Sequence, residues 1–154
     1  MANSNCIFAK FVRGEVPANT IYEDADHMVF LDKFPVVPGH ALVIPKYEAS
    51  TWNDLNEDQA AAFGRVIRKV TGAMQEYFGC DYEFHSTNGK GASQEIDWLH
   101  VHVLPRAAGD RLWDGDKSRL VTDANNTYDF KRLTPTDEEL AEHRKGLAEL
   151  LGGQ

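Results

Sequence analysis

Two histidines separated by a single residue are the feature of this sequence best suited to chemistry. His100 and His102 lie in the segment from Trp98 to Leu104, whose apolar and β-branched residues predict a strand. Residues two apart in a strand project from the same face, so we expect the two imidazoles to lie side by side. Such a pair suits phosphoryl or nucleotidyl transfer, because one nitrogen can attack phosphorus while a neighbouring donor neutralises the phosphoryl oxygens.

The His-x-His spacing alone leaves two other interpretations open. Two half-buried histidines without a chemical role would give the same pattern, and a strand can also present two zinc ligands in this way. The upstream segment from Asn88 to Ser93 is rich in glycine. Its backbone amides could bind phosphate oxygens, and this favours the transfer chemistry.

The composition indicates one compact globular domain and disfavours several kinds of partner. The chain has 154 residues, 42% of them hydrophobic and 26% charged, with a net charge of −8. That charge opposes nonspecific binding to nucleic acid, although a small phosphorylated ligand can still be bound by local donors. No apolar run approaches the roughly 20 residues that span a bilayer, so we predict no membrane association. The distant Cys6 and Cys80 suggest a reducing compartment, and we predict a cytoplasmic protein.

The positions of apolar residues and turn signals predict an α+β fold, an antiparallel sheet of about five strands with a long helix packed on it. The long helix is expected over about Glu57 to Phe78, with Asn56 and Gln59 as a capping pair and Gly79 as its stop. The predicted strands are Thr20–Glu23, His27–Lys33, Ala41–Ile44, Tyr82–Ser86 and Trp98–Leu104. A short helix is expected over Cys6–Val12, and a last one from Thr136, where Thr136 and Glu139 match a capping box.

We expect a single domain over residues 1–154. Its core covers about residues 6–106, and residues 107–154 form a C-terminal extension that ends in the last helix.

The motifs together resemble the histidine triad (HIT) superfamily, and its Hint-like branch in particular. Asn88-Gly89, Gln94-Glu95, His100-x-His102 and Pro105-Arg106 follow the order of the HIT signature. Earlier blocks agree with it independently: Cys6-Ile7-Phe8-x-Lys10, Gly14-Glu15-Val16-Pro17, Tyr22-Glu23-Asp24, Phe30-Leu31-Asp32, Pro38-Gly39-His40 and Val43-Ile44-Pro45-Lys46. The resemblance therefore covers about Cys6 to Arg106 and implies a HIT-like fold.

The resemblance implies a catalytic role for four residues. His100 matches the histidine that attacks the nucleotide's phosphorus, and His102 matches the histidine that donates to a phosphate oxygen. His40 matches an upstream histidine that supports this array by hydrogen bonding. Asn88 matches an asparagine beside the scissile linkage.

The resemblance also implies a nucleotide-binding surface. Asp32 matches the acid that binds the ribose hydroxyls, and the backbone amides from Ser93 through Gln94 to Glu95 would contact the phosphoryl oxygens. The purine base would lie among Ile7, Phe8, Phe11 and Phe30, which on pattern alone predict only ordinary core. His27, His85 and His143 match nothing in the signature and are interpreted as structural or solvated.

The implied activity is that of a nucleoside phosphoramidase, a hydrolase acting at the α-phosphate of a purine nucleotide through a nucleotidyl-histidine intermediate. Two alternatives are a dinucleoside polyphosphate hydrolase or nucleotidyl transferase, and a purine-nucleotide-binding protein with little turnover. The resemblance implies a homodimer in which two sheets join, and no cofactor.

The sequence departs from the signature at the first triad histidine, where Trp98 stands, and at Ser93, which replaces a glycine. Many bacterial relatives resemble zinc proteins with a Cys2His2 site, whose four positions correspond here to Cys6, Ala9, Glu48 and Trp98. One thiol and one carboxylate cannot complete a tetrahedral site, so we predict no zinc. We expect the Trp98 ring to fill the vacated volume, near Cys6 and Glu48.

Overall fold

A computed structural model describes residues 2–112 and 132–152, and the rest of the predicted extension, residues 113–131 and 153–154, lies outside the described residues. Five strands of the described chain form one antiparallel sheet: β1 (Asn19–Glu23), β2 (His27–Leu31), β3 (Ala41–Pro45), β4 (Asp81–His85) and β5 (Val101–Arg106). Their order across the sheet is β1-β2-β3-β5-β4. The helices are α1 (Ile7–Val12), α2 (Glu57–Phe78) and α3 (Asp137–Leu150). The predicted α+β class is confirmed.

The two faces of the sheet are packed differently. One face presents Val29, Val43 and Val101 to α2, within a buried cluster that also includes three leucines at or just after α3: Leu140, Leu147 and Leu151. The opposite face presents Phe30 and Leu42 to a second cluster, which α1 covers. Because side chains alternate along a strand, residues such as His102, paired with Leu42, belong to this second face. The candidate site therefore lies on the face of the sheet opposite the long helix.

Helix α2 has the bounds that its sequence predicts, because both ends carry local signals. The Asn56 side chain accepts a hydrogen bond from the backbone N–H of Gln59, and the Gln59 side chain accepts one from the backbone N–H of Asn56. Gly79 ends the helix in the left-handed conformation, with φ of 61°. Between them Phe63 and Met74 are fully buried, and each such side chain contributes about 2 kcal/mol by leaving water.

Helix α3 attaches the described end of the extension to the sheet. It begins with the predicted capping box, in which Thr136 and Glu139 exchange hydrogen bonds between side chain and backbone. Leu147 is fully buried in the same cluster as α2, whereas Leu150 is 41% exposed. In the described residues, no helix combines the length and the apolar character needed to cross a membrane.

Strand β5 begins three residues later than the sequence predicts. The prediction began the strand at Trp98, but the chain bends there and the Leu99 amide donates to the Ala49 carbonyl instead of joining the sheet. The register of β3 with β5 would place Leu99 opposite Pro45, which has no N–H for the ladder. The remaining strand predictions hold within one or two residues at each end.

The turn before β3 requires glycine at position 39, which leads to a prediction about stability. Gly39 has φ of 84°, and a Cβ built on it would overlap the ring of Phe78. We expect Gly39→Ala to lower the free energy of unfolding by about 2–4 kcal/mol, from the left-handed backbone plus the overlap. Gly14→Ala is the matched control, because Gly14 has φ of 70° with nothing within 4 Å. Equal losses in urea denaturation of the two variants would contradict the steric part of this argument.

Candidate active site

Three histidines meet on the face of the sheet opposite α2. The ring centroids of His100 and His102 are 5.1 Å apart, and those of His40 and His102 are also 5.1 Å apart. His40 lies immediately before β3 and His100 immediately before β5, and both are buried, at 2% and 5% exposure. The predicted catalytic histidines are thus brought together, although His100 precedes the strand to which it was assigned.

A chain of hydrogen bonds determines where the protons of His40 and His102 lie. The backbone N–H of Val36 donates to Nδ1 of His40, at 3.3 Å, so this nitrogen carries a lone pair. The Asp32 carboxylate is 3.9 Å from the same nitrogen, too far for a hydrogen bond. Neutral His40 therefore carries its proton on Nε2, which lies 2.8 Å from Nδ1 of His102 and donates to it. It follows that neutral His102 carries its own proton on Nε2.

The tautomer of His100 follows from one short contact. Its Nδ1 lies 2.7 Å from the carbonyl oxygen of Trp98, which can only accept a hydrogen bond. Nδ1 therefore carries the proton, and Nε2 keeps a lone pair suited to nucleophilic attack.

Burial keeps all three imidazoles neutral near pH 7. Burial, assisted by the charge of Arg132 and by the neighbouring histidines, lowers the pKa of His40 to about 3 and that of His102 to about 2. Burial also lowers the pKa of His100, opposed by its hydrogen bond to the Trp98 carbonyl and by Glu95. Neutral rings are the form in which one imidazole can attack and another can donate.

These shifts predict that stability falls in mild acid. The ordinary histidine pKa is 6.5, so below that pH the unfolded chain binds protons that folded His40 and His102 do not bind until about pH 3 and 2. The free energy of unfolding is therefore expected to fall as the pH falls below 6.5, by up to about 1.4 kcal/mol per pH unit for each group. Urea titrations from pH 7 to 5 test this, with a shallower slope expected for His40→Leu. Equal slopes for the two proteins would contradict it.

Aromatic rings line the site next to His100. The Phe8 ring meets the His100 ring edge-on, with 5.2 Å between their centroids. Phe30 lies 5.5 Å from Phe8, and Phe11 lies 5.0 Å from Phe30, again between centroids. Phe8 and Phe30 are buried, whereas Ile7, at the start of α1, is 40% exposed. Three of the four residues predicted around the base thus form one aromatic group beside the candidate nucleophile.

Asp32 lies beside the histidines and is bound by a residue of the extension. Its Oδ1 accepts a hydrogen bond from the Phe34 amide at 2.9 Å, and its Oδ2 accepts one from Arg132 at 3.2 Å. Burial raises the pKa of Asp32, opposed by those two donors. The contact with Arg132 was not predicted, because Arg132 lies beyond the signature and no local pattern relates it to Asp32.

The side chains of Asn88 and Gln94 anchor the Gly-rich loop. Asn88 accepts a hydrogen bond from the Trp52 amide at 3.0 Å and donates to Ser86, whose hydroxyl in turn donates to the carbonyl of His100 at 2.8 Å. Gln94 accepts from the Gly89 amide at 2.7 Å and donates to the Ser50 carbonyl at 2.8 Å. In this structure both side chains position the loop relative to the His100 segment.

Hydrogen bonds within the backbone of this loop already use some of the amides that were predicted to bind phosphate. Ser93 takes the left-handed conformation, with φ of 62°, which explains why a glycine suits this position. The Ser93 amide donates to the Lys90 carbonyl at 3.0 Å, and the Gln94 amide donates to the Gly89 carbonyl at 3.2 Å. Of the three predicted amides, only that of Glu95 has no acceptor among the described residues, so it could donate to a phosphoryl oxygen in this conformation.

Trp98 is buried where the resemblance located a zinc ligand. It is 3% exposed, its Nε1 donates to the Pro45 carbonyl at 3.0 Å, and Cys6 packs against the cluster that contains it, whereas Glu48 is exposed. The thiol of Cys6 accepts a hydrogen bond from the Ala9 amide and caps α1. Among residues 2–112 and 132–152, no three His, Cys, Asp or Glu side chains are grouped to bind a metal. The donor set at this corner does not fit a tetrahedral zinc ion.

Comparison with known proteins agrees with the geometry. A sequence profile of the HIT domain matches residues 13–109, which is more than half of the chain. The chain belongs to the HIT family. An uncharacterized HIT-like protein of Methanocaldococcus jannaschii is 34% identical over 105 residues, 68% of this chain and 81% of that protein. The adenosine 5'-monophosphoramidase of Schizosaccharomyces pombe is 36% identical over 102 residues, 66% of this chain and 74% of that protein.

Solved structures of HIT proteins share the fold of this HIT protein along nearly its whole length. The Hit-like protein of Bartonella henselae involved in cell-cycle regulation superposes with a TM-score of 0.76 at 26% identity, covering 97% of this chain and 99% of its own. A zinc-bound histidine triad family protein of Mycobacterium smegmatis gives 0.74 at 30% identity, covering 97% and 98%. The HIT-like fold expected from the signature is therefore confirmed.

Proposed function

We propose that this HIT protein is a nucleotide hydrolase that cleaves a phosphoramidate bond at the α-phosphorus of a purine nucleotide. The observation that carries the proposal is the tautomer of His100. Its Nδ1 proton is held by the Trp98 carbonyl, so Nε2 keeps a lone pair, and the ring lies against Phe8. A neutral, oriented imidazole is the group required for nucleophilic attack on phosphorus.

The reaction takes place in two steps. Nε2 of His100 forms a bond to phosphorus while the bond from phosphorus to the leaving amine breaks, and the amine takes up a proton from solvent as it departs. The nucleotidylated ring then carries a positive charge, and its Nδ1–H bond to Trp98 stabilises it. Water attacks phosphorus and loses a proton to solvent, the bond to Nε2 breaks, and neutral His100 and a nucleoside monophosphate are released.

The neighbouring groups stabilise the charge and orient the nucleotide. His102 donates from Nε2 to a phosphoryl oxygen because His40 donates to its other nitrogen. The Glu95 amide supplies a second donor. Asp32 accepts from the ribose hydroxyls, as carboxylates do in other nucleotide sites. The base lies against the aromatic group of Phe8, Phe11 and Phe30 and beside Ile7.

The named activities of the relatives support this substrate class. Besides the adenosine 5'-monophosphoramidase of fission yeast, the adenylylsulfatase of Arabidopsis thaliana is 32% identical over 117 residues, 75% of this chain and 59% of that protein. Both names describe cleavage of a bond to an adenosine phosphate.

A comparison of substrates tests the proposal against its alternatives. We expect kcat/KM for adenosine 5'-phosphoramidate to exceed that for a diadenosine polyphosphate, measured side by side on one preparation. The reverse order would favour the dinucleoside polyphosphate hydrolase or transferase. Tight binding of AMP without turnover of either substrate would favour a nucleotide-binding protein instead.

The exposed edge of the sheet supports the proposed homodimer. Among the described strands β4 lies at an edge of the sheet, and Tyr82 and Phe84 on it are 40% and 55% exposed. An unpaired edge with large apolar side chains favours pairing with a second copy, which would join the two sheets. Sedimentation equilibrium giving the mass of one protomer would argue against this assembly.

Cys6 and Cys80, both free thiols, support a reducing, cytoplasmic location.

A further inference from the structure

His85 lies beside the catalytic histidines although nothing in the signature indicates it. It is the last residue of β4, and the register of β4 with β5 places it directly opposite His102. The two rings stack nearly parallel, with centroids 4.7 Å apart and an angle of 20° between their planes. Residues paired across an antiparallel ladder share a face, so His85 belongs to the face that carries the site.

The stack restricts a motion that the hydrogen bond from His40 leaves free. That bond fixes the position of Nδ1 of His102, at 2.8 Å, but a single bond at one ring atom still allows the ring to tilt. A flat ring against one face of His102 limits this tilt. The direction of the Nε2–H of His102 therefore depends on His40 for its proton and on His85 for its plane.

The surroundings of His85 favour its neutral form. Nδ1 of His85 is buried and has no hydrogen-bond partner among the described residues. A proton there would be a buried donor without an acceptor, so the neutral ring carries its proton on Nε2. Burial lowers the pKa of His85 and nearby His100 lowers it further, whereas Glu83 raises it. A neutral ring can stack on His102 without charge repulsion.

We propose that His85 is a positioning residue for the reaction, which keeps the ring of His102 in the plane that directs its Nε2–H at the phosphoryl oxygen. The effect of His85 on turnover rests on the proposed function, whereas its effect on the His102 ring does not. The role requires a flat ring at position 85 and no proton transfer by it.

A double-mutant cycle tests whether His85 acts through His102. We expect His85→Ala to lower kcat about three- to tenfold with KM nearly unchanged, the size of one lost aromatic stack, and His85→Phe to keep most of kcat. In a His102→Ala background, His85→Ala should lower kcat no further. An equal loss in both backgrounds, or equal losses for the alanine and phenylalanine variants, would overturn the proposal.

A spectroscopic measurement separates this proposal from the proposed function. In ¹⁵N NMR spectra of the full chain labelled at histidine, we expect the ring signals of His102 to report one Nε2–H tautomer, shifted or broadened in His85→Ala and retained in His85→Phe. Unchanged His102 signals in His85→Ala would overturn the positioning role. A wild type without turnover on any of the nucleotides would refute the proposed function but leave this result interpretable.

Discussion

Replacing His100 with alanine is expected to lower kcat for adenosine 5'-phosphoramidate by about 10³-fold or more, the scale seen when an enzyme loses its nucleophile. The variant keeps the aromatic rings of Phe8 and Phe30 and the carboxylate of Asp32, so nucleotide binding should be retained. Rapid acid quench with substrate labelled at the α-phosphate should trap labelled protein from the wild type. The same experiment should trap none from His100→Ala.

A matched control distinguishes lost chemistry from lost stability. His27 is also a buried histidine, 3% exposed, but it stacks on Phe63 of α2, on the other face of the sheet. His27→Gln is therefore expected to lower the free energy of unfolding while kcat stays near that of the wild type. Full turnover by His100→Ala would refute the mechanism, whatever the control shows.

Elements with local signals were predictable from sequence, and those that depend on partners were not. The capping box at Asn56 and the left-handed Gly79 are properties of a few adjacent residues, so both ends of α2 could be predicted. The start of β5 depends on Pro45 in a different strand, and the prediction there was wrong. Such a strand boundary can be predicted only when the register between the two strands is known, and a single sequence does not give that register.

The same distinction applies to the site. The signature indicated His40, His100 and His102, whose neutral tautomers then follow from bonds to Val36 and Trp98 that only the fold provides. His85 faces His102 only because of the register of β4.

Trp98 illustrates how a departure from the signature can leave the arrangement of the candidate site in place. Its indole is buried among apolar side chains and donates to Pro45, while its carbonyl accepts from His100. The contact that orients His100 is made by the backbone carbonyl, so it does not require a histidine side chain at position 98. The residue that departs most from the signature thus still takes part in positioning the candidate nucleophile.

Replacing His102 is expected to have the second largest effect, because in the proposed mechanism its Nε2–H donates to the phosphoryl oxygen as charge develops there. We expect His102→Ala to lower kcat about 10²- to 10³-fold, the usual cost of one such donor, with a much smaller change in KM. Steady-state kinetics at pH 7.5 measures this, above the pH at which stability is expected to fall.

Two further variants test the direction of the hydrogen bond from His102. Glutamine and glutamate have nearly the same size, but at this pH the amide can donate to the phosphoryl oxygen and a carboxylate can only accept. His102→Gln is therefore expected to recover part of the activity lost in His102→Ala, whereas His102→Glu should be as slow as alanine or slower, since its charge repels the phosphate. Equal rates for the two variants would mean that position 102 donates nothing to the transition state. The proton order deduced from Val36 through His40 would then be wrong.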